Sequence, residues 1–523
     1  MASRQSFAED ALTSRNFGDR LFMSNESWVA HTDMNHVNKQ NRGRIAIMAY
    51  DPKKDYSFED VPELIGYLKR SAIDAYMMSE SSGITDTCTI MDDKYVVSFP
   101  MPYVGSADKD IARPGKDGRG GGKVLSSDGN EDDADYAAEF DKIRLSIDEI
   151  VDPWKELPDP KSVDNEIEKW ITAVSPIAKE PQTVGNKSTG GGTIFTNLDQ
   201  AGKALGNMSG EVIHKVETFV AKLVSVTDGL HDKTMLLGGA LNSEMKMFEE
   251  TRASVVKALQ QGIKVFDAVA SEDGAGFKIV LEIVSTAIDA ALIFVAPKVA
   301  MEKKLAQASS AALKSLKSSQ DATVDDDEAS DYESAMGKLE SAFEAINKSV
   351  RKAEIGVKDM LLGNLDSMSM TDHKEYYDVT MDPIDSSAIE PSSGLNVDYG
   401  NAKGVCRKFG DVRTSVVKAK DNLPRVSMFT CLLRSGVIGI GPYGPGHAFS
   451  DLNVRIEELL KNLADDIENE AKNFDLAVEA IVNEDAQARS RLQETVDYIK
   501  NNPGDPWAKS KPAPQRVKGN TIV

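Results

Sequence analysis

The chain has 523 residues, enough for two to four domains and a sizeable core. Hydrophobic residues make up 41% and aromatics only 7%, with Ala, Ser, Lys, Asp and Glu abundant, a balance that favours long helices over β-sandwiches. Lys plus Arg total 61 against 83 Asp plus Glu, and the resulting net charge of −22 repels polyanions and excludes a general nucleic-acid binder.

Taken in chain order, the N-terminal MASRQSFAEDALTSRNFGDRL lacks the apolar core of a cleaved secretory signal. The expectation is a protein that is cytoplasmic, or secreted by a route that ignores such signals. RIAIMAY (44–50) and KYVVSFPMPY (94–103) read as strands around a helix within SFEDVPELIGYLKRSAIDAYMM. Residues 1–104 are therefore expected to form a small α+β domain. A Gly- and Asp-rich stretch, 105–135, is expected to be a flexible linker.

Beyond it the pattern is helical. Phe140, Ile143, Ile147, Ile150 and Val151 share one face, and after the Pro-punctuated DPWKELPDPK so do Ile167, Trp170, Ile171 and Val174. From Val212 to Leu230 and again from Leu241 to Phe266 the apolar spacing is sustained, with a break expected near LGGA, so that two long arms form a hairpin. After the apolar segment 277–301 and an acidic loop, Tyr332, Met336, Leu339, Phe343, Ile346 and Val350 open a heptad seam that marks a long helix packed along another. Residues 136–365 thus make a first hairpin region, and 366–398 a loop. The second hairpin spans 399–502: one arm runs from Tyr399 to about Arg434 with Pro424 as a kink or break, and the other starts at Leu452 after GVIGIGPYGPGH. The Pro-rich tail 503–523 (…WAKSKPAPQRVKG…) is read as disordered and is the one local basic patch in the sequence. The fold class expected is mainly α: an elongated helical bundle of long antiparallel hairpins with a small N-terminal α+β domain.

No stretch carries recognisable catalytic or metal-binding chemistry. PGKDGRGGGKV lacks the Gly, the Ser or Thr and the preceding strand of a phosphate loop. Asp128, Asn130, Asp132 and Glu139 approximate a calcium-loop frame, but Asp133 stands where the turn needs Gly. His31 and His36 share a polar segment without further ligands, and Cys88, Cys406 and Cys431 are too dispersed for a zinc site or a disulfide framework. No catalytic, cofactor or metal residues are assigned; an enzyme is not expected, nor a small-molecule substrate.

The most apolar run, FKIVLEIVSTAIDAALIFVAPKVAM (277–301), is long enough to cross a bilayer, yet Glu282 and Asp289 lie seven residues apart on one helical face. Each acid at a bilayer centre costs about 2.5–3.5 kcal/mol. A buried bundle helix is the favoured reading. The alternative is an α-helical pore-forming protein that inserts this segment through Ile288, Leu292 and Phe294. A second alternative places an enzyme in residues 1–104.

LGNMSGEVIHKVETF resembles the WXG-type helical hairpins exported by type VII (ESX) secretion systems of actinobacteria. In that family a Trp-x-Gly turn joins two antiparallel helices; here Met208-Ser209-Gly210 matches at Gly210, with Met208 where the family has Trp. The order of DPWKELPDP, SEMKMFEETRASVVKAL, SDYESAMGKLESAFEAINKSV and GPYGPGHAFSDLNVRIEELLKNLADD is similar to that of large ESX-associated proteins and extends the likeness over about 136–500. The resemblance implies a non-enzymatic secreted effector, or a structural or adaptor component, that acts by helix–helix recognition with another helical-hairpin protein or with itself. The family's export signal, Tyr-x-x-x-Asp/Glu after the hairpin, is not matched: Tyr498 is followed four residues on by Asn502, and the matches at Tyr56 and Tyr76 are at chance frequency.

Overall fold

A computed structural model describes residues 50–81, 87–101, 105–125, 136–179, 183–184, 187–188, 191–271, 329, 331–369, 397–424 and 430–501. The chain divides into two compact units, 1–49 and 50–523; the first lies outside the described residues, and all that follows concerns the second. Helix accounts for 77% of the described residues, so the protein is mainly α with a small α+β region. Among the described residues the helices are α1 (Val61–Ser81), α2 (Ala137–Val151), α3 (Pro160–Val174), α4 (Ile194–Leu205), α5 (Glu211–Val269), α6 (Tyr332–Ser369), α7 (Tyr399–Asn422) and α8 (Gly446–Asn501). Strands β1 (Thr87–Ile90), β2 (Lys94–Met101) and β3 (Gly105–Ala112) make one antiparallel meander, and β4 (Thr183–Val184) with β5 (Lys187–Ser188) a two-residue ribbon.

The first difference from expectation lies in the Gly-rich stretch after residue 104. Residues 105–112 are not linker but β3, paired along the whole of β2 from Met101↔Gly105 to Lys94↔Ala112. The glycines that follow form a packed turn rather than a tether. Gly118 adopts φ +73, and a Cβ there would lie 2.7 Å from the Gly66 carbonyl oxygen and 2.8 Å from Lys69 Cβ, so only Gly lets the turn lie on α1. Arg144 of α2 donates from Nε to the Gly118 carbonyl at 2.7 Å and closes it from the other side. Composition could not separate a tether from a turn held by its neighbours.

Helix α1 and the sheet share one continuous core with the long helices, through α1 against α5. A buried ion pair ties this region together. Asp74 on α1 accepts from Arg113 Nε at 2.9 Å and from Nη2 at 2.5 Å, and from the Tyr95 hydroxyl of β2 at 2.7 Å. Burial, with the Asp74 charge beside it, holds the Tyr95 phenol far above its ordinary range, so it remains a donor. Asp74→Asn keeps the shape and removes the charge. Because Arg113 retains slight solvent access, the expected loss is about 2–3 kcal/mol, read as a lower urea midpoint at unchanged slope.

The second difference is α5. It runs unbroken for 59 residues through LGGA, so the expected hairpin between 212 and 266 is one helix. Gly238 and Gly239 cost a helix about 1 kcal/mol each. Leu236, Leu237, Ala240 and Leu241 around them are nearly inaccessible to solvent, and their burial outweighs that penalty. The turn residues Met208, Ser209 and Gly210 lie between α4 and α5, with Gly210 at φ 130 immediately before the helix.

Helix α6 carries the seam residues: Leu339, Phe343, Ile346 and Val350 are buried, and Tyr332 and Met336 pack against the core from its edge. The α7 arm is shorter than expected. It ends at Asn422, and Arg434 belongs to the connection instead; Pro424 has no N–H to continue the ladder and forces its predecessor out of helical geometry. Helices α7 and α8 are antiparallel: Lys403 pairs with Asp475 (2.5 Å) and Glu479 (3.0 Å), while Arg413, further along α7, pairs with Glu468, earlier in α8 (2.7 Å). The two helices pack on each other, with Val405, Phe409, Val412 and Val416 buried on α7 and Leu463, Ile467 and Phe474 buried on α8, and Phe409 meets Phe219 of α5 edge-on at 5.6 Å.

The strand expected at 44–50 lies outside the described residues except Tyr50, as do His31 and His36. So do Asp128, Asn130 and Asp132, residues 277–301 with Glu282, Ile288, Asp289, Leu292 and Phe294, most of the loop 366–398, and the tail 503–523.

Candidate interaction groove

A solvent-open groove of about 550 Å3 lies where α2, α6 and the connection between α7 and α8 meet. The sequence builds its walls by simple periodicity. On α6, Met336, Glu340, Phe343 and Asn347 succeed one another at spacings of four, three and four, so all lie along the face that lines the groove. At the end of α2 a single 3-10 turn, Asp152–Trp154 with Pro153 at its centre, directs Trp154 inward, where its ring lies 5.7 Å from that of Phe343. Ile150 from α2 and Val437 and Ile438 from the connection complete the lining.

The floor is aromatic and the rim acidic. Glu149, Glu340 and Glu344 line the groove and are exposed. A second depression of about 490 Å3 continues past Glu149 and Pro153 to Asp148, Asp152, Glu156 and the exposed Leu145. Asp148 is occupied by Lys69 and Lys155, and Asp152 by Lys155. Glu149, Glu156, Glu340 and Glu344 have no cationic partner among the described residues. Val437, 64% exposed, places an apolar side chain on the lip.

The third wall is held from behind. Asn347 donates from Nδ2 to the Val437 carbonyl (2.9 Å) and accepts from the Gly439 N–H (2.7 Å). Seven residues further along α6, Glu354 accepts from the Ile440 N–H at 2.8 Å and from Arg434 Nη2. Gly439 adopts φ +64, and a Cβ there would collide with the Glu354 carboxylate, so the chain passes over this acid only as Gly. Arg434 also stacks on Phe248 of α5 at 5.4 Å, and both its side chain and that of Glu354 are wholly inaccessible.

Beside this pair lies Glu244 of α5, also inaccessible, whose two carboxylate oxygens have no hydrogen-bond partner among the described residues. Burial, and then the charge of Glu354, raise its pKa well above the ordinary carboxylate range; Arg434 opposes this. Burial also raises Glu354, against Arg434 and the Ile440 N–H. The proton belongs on Glu244, because the oxygens of Glu354 accept from charged and backbone donors and those of Glu244 do not. Cys431, close by, has its thiol pushed up to about 12, chiefly by burial. This cluster is sealed from solvent, so its chemistry is that of a fastening.

The groove brings together two residues of the expected seam, Met336 and Phe343; Tyr332, Leu339, Ile346 and Val350 lie outside its lining. The turn at Met208–Gly210 is not part of it either. Among the described residues no group of His, Cys, Asp and Glu is arranged to hold a metal ion, and no helix is long and apolar enough to cross a membrane. No protein-family model, curated protein or solved structure matches this chain.

Proposed function

We propose that this protein works by helix-to-helix recognition as a non-enzymatic component of the type VII secretion class, either a secreted effector or an adaptor. The observation that carries the reading is the groove: an aromatic floor with four uncompensated carboxylates on its rim and in the adjoining depression, formed along the seam of a helical bundle and open to solvent. The buried Arg434–Glu354 pair holds the wall formed by the connection, whereas the carboxylates that face water are those of a binding surface. The secretion class rests on the likeness of residues 136–500 to ESX-associated proteins.

The test is fractionation of the native protein into culture filtrate, membrane and cytosol, with and without an active type VII ATPase. Appearance in the filtrate only when the ATPase is active is the expected result. A wholly cytosolic protein in both strains removes the secretion-class assignment.

A further inference from the structure

We propose that the groove receives the basic segment 502–523 from a second copy of this chain, so that copies associate head to tail. This rests on reading the groove as a binding surface. Its chemistry specifies the occupant: half-buried Met336 and Ile150 and the exposed Val437, with Trp154 and Phe343 packed beneath them, ask for an aromatic or apolar anchor, and Glu149, Glu340 and Glu344, with Glu156 next door, ask for cations on either side of it. In a chain of net charge −22, few stretches satisfy that demand. Residues 502–523 do: Trp507 is accompanied by Lys509, Lys511, Arg516 and Lys518 against the single acid Asp505. Pro503, Pro506, Pro512 and Pro514 restrict the backbone of the same segment, and Pro-rich segments flanked by cations suit aromatic-lined grooves because little conformational freedom remains to be lost on docking.

Geometry assigns the segment to another copy. The groove wall at Val437 and Ile438 stands just before α8, and α8 then runs for 56 residues. At the rise of an α-helix that carries the chain about 84 Å away. The 22 residues of 502–523 span at most about 79 Å fully extended. A segment joined at Asn501 therefore falls short of its own groove and is free to enter another. Such a contact is heterologous, with different patches on the two copies, and propagates until it closes a ring or continues as an open chain.

The experiment uses the full-length protein in three forms: wild type, a groove variant (Glu340→Lys with Glu344→Lys) and a tail variant (Lys509→Glu with Lys511→Glu). The substituted groove positions are exposed, and circular dichroism checks that the fold is kept. In sedimentation velocity at low salt, wild type is expected to grow in mass with concentration, and each variant alone to stay monomeric. Mixed together, the two variants should stop at a one-to-one dimer, because one retains only a tail and the other only a groove. A fluorescent synthetic 502–523 peptide should bind wild type at least about tenfold more tightly than it binds the groove variant, and lose affinity as salt is raised.

Wild type that remains monomeric and does not bind the peptide overturns the proposal. So does peptide binding that is equal in wild type and groove variant. Binding of a lysine-bearing helical peptide by the groove, with no response to 502–523, overturns this occupant while leaving the binding surface intact. The fractionation result is independent, since an exported protein can be monomeric and a cytosolic one can self-associate.

Discussion

Replacing Arg434 by Met is expected to lower the unfolding free energy by about 3–5 kcal/mol. The methionine fills the volume of the arginine stem and keeps contact with Phe248, so what is lost is the charge and its hydrogen bonds. Glu354 would then be a wholly buried carboxylate with only the Ile440 N–H to compensate it. It can escape that state only by taking up a proton, or by letting the connection 433–445 lift and admit water. The loss should therefore be greater at pH 8 than at pH 5, where protonating Glu354 costs less. Adding Glu354→Leu to the same chain should recover most of the stability, because a buried pair exchanged for apolar groups loses little, whereas one orphaned charge costs much. Urea denaturation of the single and double variants at the two pH values measures all of this. A single-variant loss below about 1 kcal/mol would show that the pair does not fasten the connection.

What depends on that fastening is the groove. Asn347 and Glu354 sit on the same face of α6 and hold three residues of the connection, Val437 and Gly439 by the first and Ile440 by the second. Val437 and Ile438 are the groove's third wall. The glycine over Glu354 has no side chain that could hold the wall in another way, so the buried acid sets where the wall stands.

The helical faces were legible in the sequence because apolar spacing reports burial directly: Phe140, Ile143 and Ile147, the α6 seam, and Val405 to Val416 all face the core as their periodicity requires. Breaks were less legible. LGGA looks like a turn by composition, yet the burial of its leucines keeps α5 continuous, and the glycines of 118–122 look like a tether until α1 and Arg144 close on them. Local composition states what the backbone is able to do, and tertiary contacts select among those options. The groove was half legible. Met336 and Phe343 were expected as seam, but Trp154 meets Phe343 only because α2 and α6, nearly 200 residues apart in sequence, cross there. The fastening left almost no trace, since Glu244 and Glu354 are two among 83 acids. Its one signal was the spacing of glycines in GVIGIGPYGPG, where Gly439, Gly441 and Gly444 all adopt positive φ.

Glu244→Gln should abolish one proton's worth of pH dependence and make the protein more stable than wild type at alkaline pH. The native carboxyl titrates well above its ordinary value of 4.5, so the folded chain holds a proton that the unfolded chain has released. Stability from this source is complete below 4.5 and is lost as pH rises through the folded value, at about 1.4 kcal/mol per pH unit within that window. Gln copies the neutral acid in shape and cannot ionise. Variant and wild type should therefore agree to within about 1 kcal/mol near pH 5, with the variant pulling ahead steadily above it. Glu354 contributes a slope of the same sign, and that part should persist in the variant, since its raised pKa comes first from its own burial. Cys431 stays neutral with its thiol near 12, and Glu166 of the neighbouring α3 is paired with Lys169 at 2.6 Å. Guanidinium titrations at pH 5, 6, 7 and 8 compare the two proteins. Parallel stability curves would mean that Glu244 is ionised in the folded state, and that the proton in this cluster resides elsewhere.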